Sequence, residues 1–173
     1  MAESRGPKGA RSAMILDAAE ARIRLSGYAG FSFREVAADV GIKSASVHHH
    51  FPTKADLGAA VARQYRERFL AHVAAKIEVG GDVVAVWTQM FREASRADGR
   101  MCLCGVLAAE SADLPEAVAE QVRRFFTESA TAIDLATRVQ GSGFRLLAQL
   151  EGALLIAQAV GDPEVFEIAV QST

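Results

Sequence analysis

From Leu57 to Ile77 an apolar or aromatic residue recurs at every fourth position: Leu57, Val61, Tyr65, Phe69, Val73 and Ile77. A stripe of that period is the mark of a long amphipathic helix, about 35 to 40 Å from end to end at roughly 1.5 Å per residue. Thr53-Lys54-Ala55-Asp56 offers it an N-terminal cap and Gly80-Gly81 ends it. The rest of the chain follows suit. Prolines are few, β-branched alternation is almost absent, and Ala-rich stretches carry apolar residues at three- and four-residue spacing, so the fold class is all-α with about nine helices.

Local signals place the others. The first helix spans about Ala10 to Leu25 and stops at Ser26-Gly27, behind a basic lead-in of ten residues that reads as mobile. Ser32-Phe33-Arg34-Glu35 is a capping box that opens a short second helix ending at Gly41. Ile42 to Phe51 fits a third, halted by Pro52. Asp82 caps a fifth that runs to Asp98-Gly99-Arg100, and a short sixth covers Leu103 to Ser111. Pro115 sits in the first turn of a seventh, which ends at Gly141-Ser142-Gly143. Phe144 to Val160 forms the eighth, and Asp162-Pro163 begins the ninth.

Charge is unevenly spread over the 173 residues. Met1 to Arg68 holds 11 Lys and Arg against 7 Asp and Glu, whereas Phe69 onward holds 8 against 14. A basic N-terminal part is where an anionic partner such as DNA would bind. The longest charge-free stretch of the C-terminal half, Gly152 to Gly161, falls short of the roughly 20 residues of a membrane helix, so no membrane partner is expected. The N-terminus shows no signal peptide, which gives a cytoplasmic expectation. Cys102 and Cys104 fit neither a disulfide framework nor a zinc pattern and read as free thiols.

The second and third helices, joined through Asp39-Val40-Gly41-Ile42, form a helix-turn-helix. Ala37 is small where two helices cross, Gly41 permits the turn, and Val36, Val40, Ile42 and Val47 supply a shared core. Phe31, Phe51 and Leu57 extend that core. A third helix this short, rich in Ser and His on its outer side, suits a major groove about 12 Å wide.

From Gly27 to Leu57 these residues resemble the tetracycline-repressor (TetR) family of regulators: Gly27-Tyr28-Ala29-Gly30-Phe31-Ser32-Phe33, Glu35-Val36-Ala37, Val40-Gly41-Ile42, Val47-His48-His49-His50-Phe51-Pro52-Thr53-Lys54 and Asp56-Leu57. Family members usually carry Tyr where this chain has His48. The resemblance implies a three-helix DNA-binding head over residues 1–53 and a ligand-sensing, dimerising body over 54–173. It also implies a homodimer whose last two long helices pair, with Leu147, Leu150, Leu154, Ala157 and Phe166 expected at the interface. The eighth helix is apolar nearly all round, which independently calls for a second cover.

Lys43, Ser44, Ser46, His48 and His49 are the expected groove-facing residues, with Arg34 aligned to a position that reads guanine in some family members. Thr53 and Lys54 at a helix N-terminus, and Tyr28 nearby, are expected at the phosphate backbone. Three successive histidines point about 100° apart on a helix, so His48-His49-His50 is not expected to hold a metal. His72, alone beside an apolar stripe, reads as a core residue. Phe69, Trp87, Met90, Phe91, Met101, Cys104, Leu107, Phe125 and Phe126 are expected to line an apolar effector cavity. Cys102, just before the sixth helix and two residues after Arg100, is a candidate thiol sensor whose pKa exposed N–H groups could lower, with a packed thiol near a ligand pocket as the default reading.

The sequence therefore describes a ligand-responsive regulator, a repressor by family habit, that binds a palindromic DNA operator as a dimer. An unidentified small apolar molecule or a thiol-reactive signal would release it by swinging the fourth helix. No catalytic order of residues, cofactor motif or metal constellation points to an enzyme. The competing reading is a helical adaptor that binds protein and not DNA.

Overall fold

A computed structural model describes residues 7–98 and 101–171, and among them finds nine helices and no strand. They are α1 (Pro7–Ser26), α2 (Phe33–Val40), α3 (Ser44–His50), α4 (Lys54–Glu78), α5 (Val83–Asp98), α6 (Leu103–Ala109), α7 (Glu116–Thr137), α8 (Ser142–Val160) and α9 (Glu164–Val170). Helix α1 begins inside the stretch expected to be mobile: residues 7–10 belong to its first turn.

The caps show why the chain breaks where it does. The Ser32 hydroxyl accepts from the Glu35 N–H and donates to the Glu35 carboxylate at 2.7 Å. Gly41 ends α2 in the left-handed region at φ 72°, while the Ile42 N–H reaches the Ala37 carbonyl at 2.9 Å. The Thr53 hydroxyl accepts from the Asp56 N–H, and the Asp56 carboxylate accepts from the Thr53 N–H, a reciprocal box at the head of α4. Asp82 accepts from the Ala85 N–H at 2.9 Å and opens α5.

Helix α4 is the axis of the molecule. Leu57, Val61, Tyr65, Phe69 and Val73 of its stripe are buried, with Ile77 packed at the margin. Helix α1 lies on it from one side and α7 from the other, and α8 is held between α7 and α9. One hydrophobic cluster runs without a break from Ile15 and Val36 near the N-terminus to Leu150 and Phe166 near the C-terminus. His72 does not join it: the residue faces solvent, because it lies one position, about 100°, off the stripe that Val73 continues.

Helices α7 and α8 meet backbone to backbone. A side chain at Gly143 would collide with the backbone of Ala130, so only glycine fits there. Asp134 closes the connection, its carboxylate accepting from the N–H groups of Gly141 at 2.8 Å and Gly143 at 2.7 Å. Those two backbone bonds hold its pKa below the usual carboxylate value.

Helix α8 is the one described helix long and apolar enough by composition to cross a membrane. Leu146, Leu147, Leu150, Ala153, Leu154 and Ala157 lie buried in this protomer's own core. That corrects the expected interface: Leu147, Leu150, Leu154, Ala157 and Phe166 are each 4 % exposed or less and have no free surface for a partner. The apolar face left open consists of Phe144, Leu155, Ile156 and Val160 on α8 and Ile168 on α9. A helix with apolar residues on nearly every side gives little phase in its sequence, so periodicity alone could not say which side turned inward.

Candidate DNA interface and sensory body

Helix α3 is pinned by its inner side. Val47 is fully buried beneath it, and Phe33, Val36 and Phe51 surround that contact. Lys43, with extended backbone at φ −76°, ψ 144°, occupies the cap position of α3 and is exposed. Arg34 and His49 are exposed as well, and Ser44 and Ser46 are half-buried at the helix start. His48 is exposed, but one face of its ring lies 4.4 Å from the Phe33 ring, and its Nδ1 is 3.4 Å from the Pro52 carbonyl oxygen. The imidazole that replaces the family's Tyr is thus anchored within the head while its outer edge stays open.

The expected phosphate contacts are already partnered. The Thr53 hydroxyl donates to Asp56 at 2.7 Å. The Lys54 ammonium donates to the Ala29 carbonyl oxygen at 3.3 Å and sits 4.8 and 4.7 Å from the Tyr28 and Phe31 ring centres. Lys54 and Tyr28 therefore fasten α4 to the turn before α2, a structural task that the motif did not disclose.

Residues flanking α6 hold that same turn and the end of α1 that leads into it. The Glu110 carboxylate accepts from the N–H groups of Tyr28 and Ala29, each at 3.2 Å. Gly27, at φ 74°, makes room for it, since a Cβ there would collide with that carboxylate. At the other end of α6, the Arg24 guanidinium donates to the Met101 carbonyl oxygen at 2.9 Å. Glu110 stood in the sequence as one acidic residue among several; only the fold shows that it caps a turn 82 residues away.

The nine expected cavity residues do not line one cavity. Phe69, Trp87, Phe91 and Phe125 pack on each other with ring centres 5.5 to 5.8 Å apart about Phe69 and form core. Cys104 and Leu107 are fully buried. Phe69 and Met90 border a cleft of about 390 Å³ between α1, α4 and α5. Trp87 borders another between α4 and α7. Met101 and Phe126 border a third, of about 380 Å³, between α6, α7 and α8, and its wall contains Glu151.

Cys102 caps α6 as expected but is only 1 % exposed, and burial pushes its thiol well above its ordinary pKa, with the Glu151 carboxyl raising it further. The expectation of a lowered pKa is overturned: the N–H groups at the start of α6 lie in the core, where a thiolate is unfavourable. The Tyr65 hydroxyl donates to its sulfur at 3.5 Å. Arg100, invoked as a cationic neighbour, lies outside the described residues.

A helix-turn-helix head welded by its inner side to a larger helical body is the build of a DNA-binding transcriptional regulator. The comparisons identify which kind. Residues 15–61 match the family model described as bacterial regulatory proteins, tetR family. The chain is also similar over nearly its whole length to solved TetR-family structures. A transcriptional regulator from Agrobacterium tumefaciens is 29 % identical, with a TM-score of 0.86 over 94 % of this chain and 95 % of that one. A regulator from Legionella pneumophila is 26 % identical, with a TM-score of 0.78 over 98 % and 96 %. The reduced form of NemR from E. coli shares the fold at 18 % identity, with a TM-score of 0.82 over 93 % of each chain. No curated protein matches the sequence. Residues 15–61 thus carry the DNA-binding domain of the tetR family, and the chain as a whole has the fold of TetR-family transcriptional regulators.

Proposed function

We propose that this regulator is a cytoplasmic repressor that binds a palindromic operator as a homodimer and leaves it when a small apolar molecule enters the body. The observation that carries this reading is the division of α3 into a buried inner side and an open polar outer side with Lys43, His49 and the adjacent Arg34. Such a helix meets base edges with its open side while the rest of the head grips phosphates. We take residues 1–53 as the reading head and 54–173 as the sensing and dimerising body.

Dimerisation is supported by the open apolar face of α8 and α9, where Phe144, Leu155, Ile156 and Ile168 are 57, 56, 53 and 70 % exposed. Exposed apolar side chains in this number on two neighbouring helices call for cover, and a two-fold partner supplies it symmetrically. Two recognition helices then fall on half-sites about one DNA turn apart.

Release works through α6 and α4 together. Glu110 at the end of α6 holds the turn that precedes α2, the Met101 carbonyl before α6 holds Arg24 in the last turns of α1, and Lys54 ties α4 to the turn that Glu110 caps. A ligand that binds the body better in one position of α6 than in another shifts the spacing of the heads by that difference in affinity, typically about 1 to 3 kcal/mol. The buried, protonated Cys102 favours a bound small molecule over thiol chemistry as the signal.

The test is binding of purified protein to DNA from its own upstream region across a salt series. Sequence-selective binding that falls with salt and is weakened at least several-fold in Lys43→Ala and His49→Ala is expected. Binding that is absent, or equal for unrelated DNA, would remove the repressor reading and bring the protein-adaptor reading forward.

A further inference from the structure

The cleft between α6, α7 and α8 differs from the others in its chemistry. Met101, Ala108, Phe126, Phe144, Leu147 and Leu155 give it an almost wholly apolar wall. Glu151 is the single ionisable residue in that wall. Both Glu151 carboxylate oxygens are shut off from solvent, and with only the Cys102 thiol close by neither finds a hydrogen bond of good geometry. The carboxyl rests against Gly105 of α6, where any side chain would collide with it. Glycine at that position leaves room for the acid.

An unpaired carboxylate in apolar surroundings is costly, and a structure that retains one either keeps it protonated or supplies a cation. No cationic residue lines the cleft. The titratable groups that face Glu151 are the Cys102 and Cys104 thiols of α6, and the Tyr65 hydroxyl of α4 stands behind Cys102. None of them carries positive charge. Burial accordingly pushes the Glu151 pKa up to about 7, tempered by the Cys102 thiol.

We propose that this cleft binds a small apolar molecule carrying a protonated amine, with the Glu151 carboxylate as its counter-charge. The proposal rests on the ligand-responsive reading above and names the chemical class of the effector. The tail lies along Phe126, Phe144 and Leu155, and a rotation of the Glu151 side chain brings its carboxylate to the ammonium, which has three N–H donors to give. A fatty acid of the same length would place like charge against Glu151, and an alcohol would gain only a neutral hydrogen bond. Phe144 and Leu155 also belong to the face assigned to the second copy, so the partner forms the roof of the site while the acid stays at its inner wall.

The proposal makes binding dependent on pH. An amine with an alkyl tail is fully charged between pH 6 and 8, so its affinity follows the ionised fraction of Glu151 and rises about tenfold across that range. Binding near pH 7 displaces about half a proton from Glu151 for each molecule bound, and nearly a whole one at pH 6.

The experiment is calorimetric titration of the full-length protein, without DNA, with octylamine, octanol and octanoate at pH 6, 7 and 8. Octylamine is expected to bind on the order of tenfold more tightly than octanol at pH 8, with octanoate weakest. Octanol affinity should be flat in pH while octylamine affinity rises. Glu151→Gln should abolish both the amine preference and its pH dependence and keep octanol binding. The wild-type pH profile serves on its own should that variant fold poorly. Octylamine binding no tighter than octanol, a preference that survives in Glu151→Gln, or a cleft closed to all three probes because the second copy fills it would overturn the proposal. DNA is absent from these titrations, so their failure is distinct from failure of the repressor reading.

Discussion

The head and the body satisfy their polar groups differently. In and beside the head, the polar groups at the helix ends are exposed or half-buried, and they are paired: Ser32 with Glu35, Thr53 with Asp56, Lys54 with the Ala29 carbonyl. In the body stand Trp87 Nε1, Ser129 Oγ, both Glu151 oxygens and Arg66 Nε, buried without a hydrogen bond. Arg66 Nε has only the Glu128 carboxylate at 3.3 Å, out of line for a hydrogen bond. These five atoms are all the unpartnered buried side-chain polar atoms among the described residues, and every one lies on α4, α5, α7 or α8. An unmet buried group costs about 1 to 3 kcal/mol, so a fold that keeps several in one region holds that region ready for another occupant or another arrangement. The head matches its polar groups locally, and the body leaves several of its own unmatched.

Two glycines sharpen the contrast most. Gly143→Ala in the body drives a methyl group into the Ala130 backbone and should cost about 3 kcal/mol, seen as a lowered urea midpoint. Gly41→Ala in the head meets no atom within 4 Å and suffers only its φ of 72°, so about 1 kcal/mol is expected. A larger loss at Gly41 than at Gly143 would break the comparison.

Glu151 gives the next effect. Its folded pKa of about 7 stands above the ordinary 4.5, so the folded state holds the proton more tightly than the unfolded chain. Stability from this group is full below about pH 4.5 and is lost as pH rises to 7, up to about 3 kcal/mol in all. Glu151→Gln should flatten that slope in urea titrations between pH 5 and 8. An unchanged slope would show that the carboxyl finds a partner in the folded protein.

Glu110→Ala removes the acceptor shared by the Tyr28 and Ala29 N–H groups and should cost about 1 to 2 kcal/mol in the same urea titration. It should also reduce the effect of a bound ligand on DNA affinity, which cap loss alone would not do. Thr53→Ala breaks the α4 capping box for about 1 kcal/mol with no such uncoupling. Arg123→Ala, on exposed α7 with Glu116 and Glu120 as partners, should leave the urea midpoint unmoved.

The same contrast explains what could be read from the sequence. The head was legible because its signals are local: the Ser32 and Thr53 boxes, Gly41 in the left-handed region and the four-residue stripe of α4 each act within a few positions. The body was legible in its helix count and not in its faces. Leu147, Leu150, Leu154, Ala157 and Phe166 were expected outward and turned inward, because α8 offers apolar residues in nearly every direction. Cys102 was placed correctly at the start of α6, but its distance from solvent depends on α4 and α8 packing over it. Glu151 carried a faint signal as a lone charge in an apolar run. Its meaning needed Gly105, which lies 46 positions away in the chain and beside it in space.

The central claim, that this chain reads DNA through α2 and α3 as a two-fold dimer, is tested most directly by selection from a randomised duplex library, followed by measuring how many chains bind each selected site. The account predicts enriched inverted repeats with half-site centres about one helical turn apart and two chains for each repeat. No enrichment, or enrichment of single unrepeated sites occupied by one chain, would contradict it.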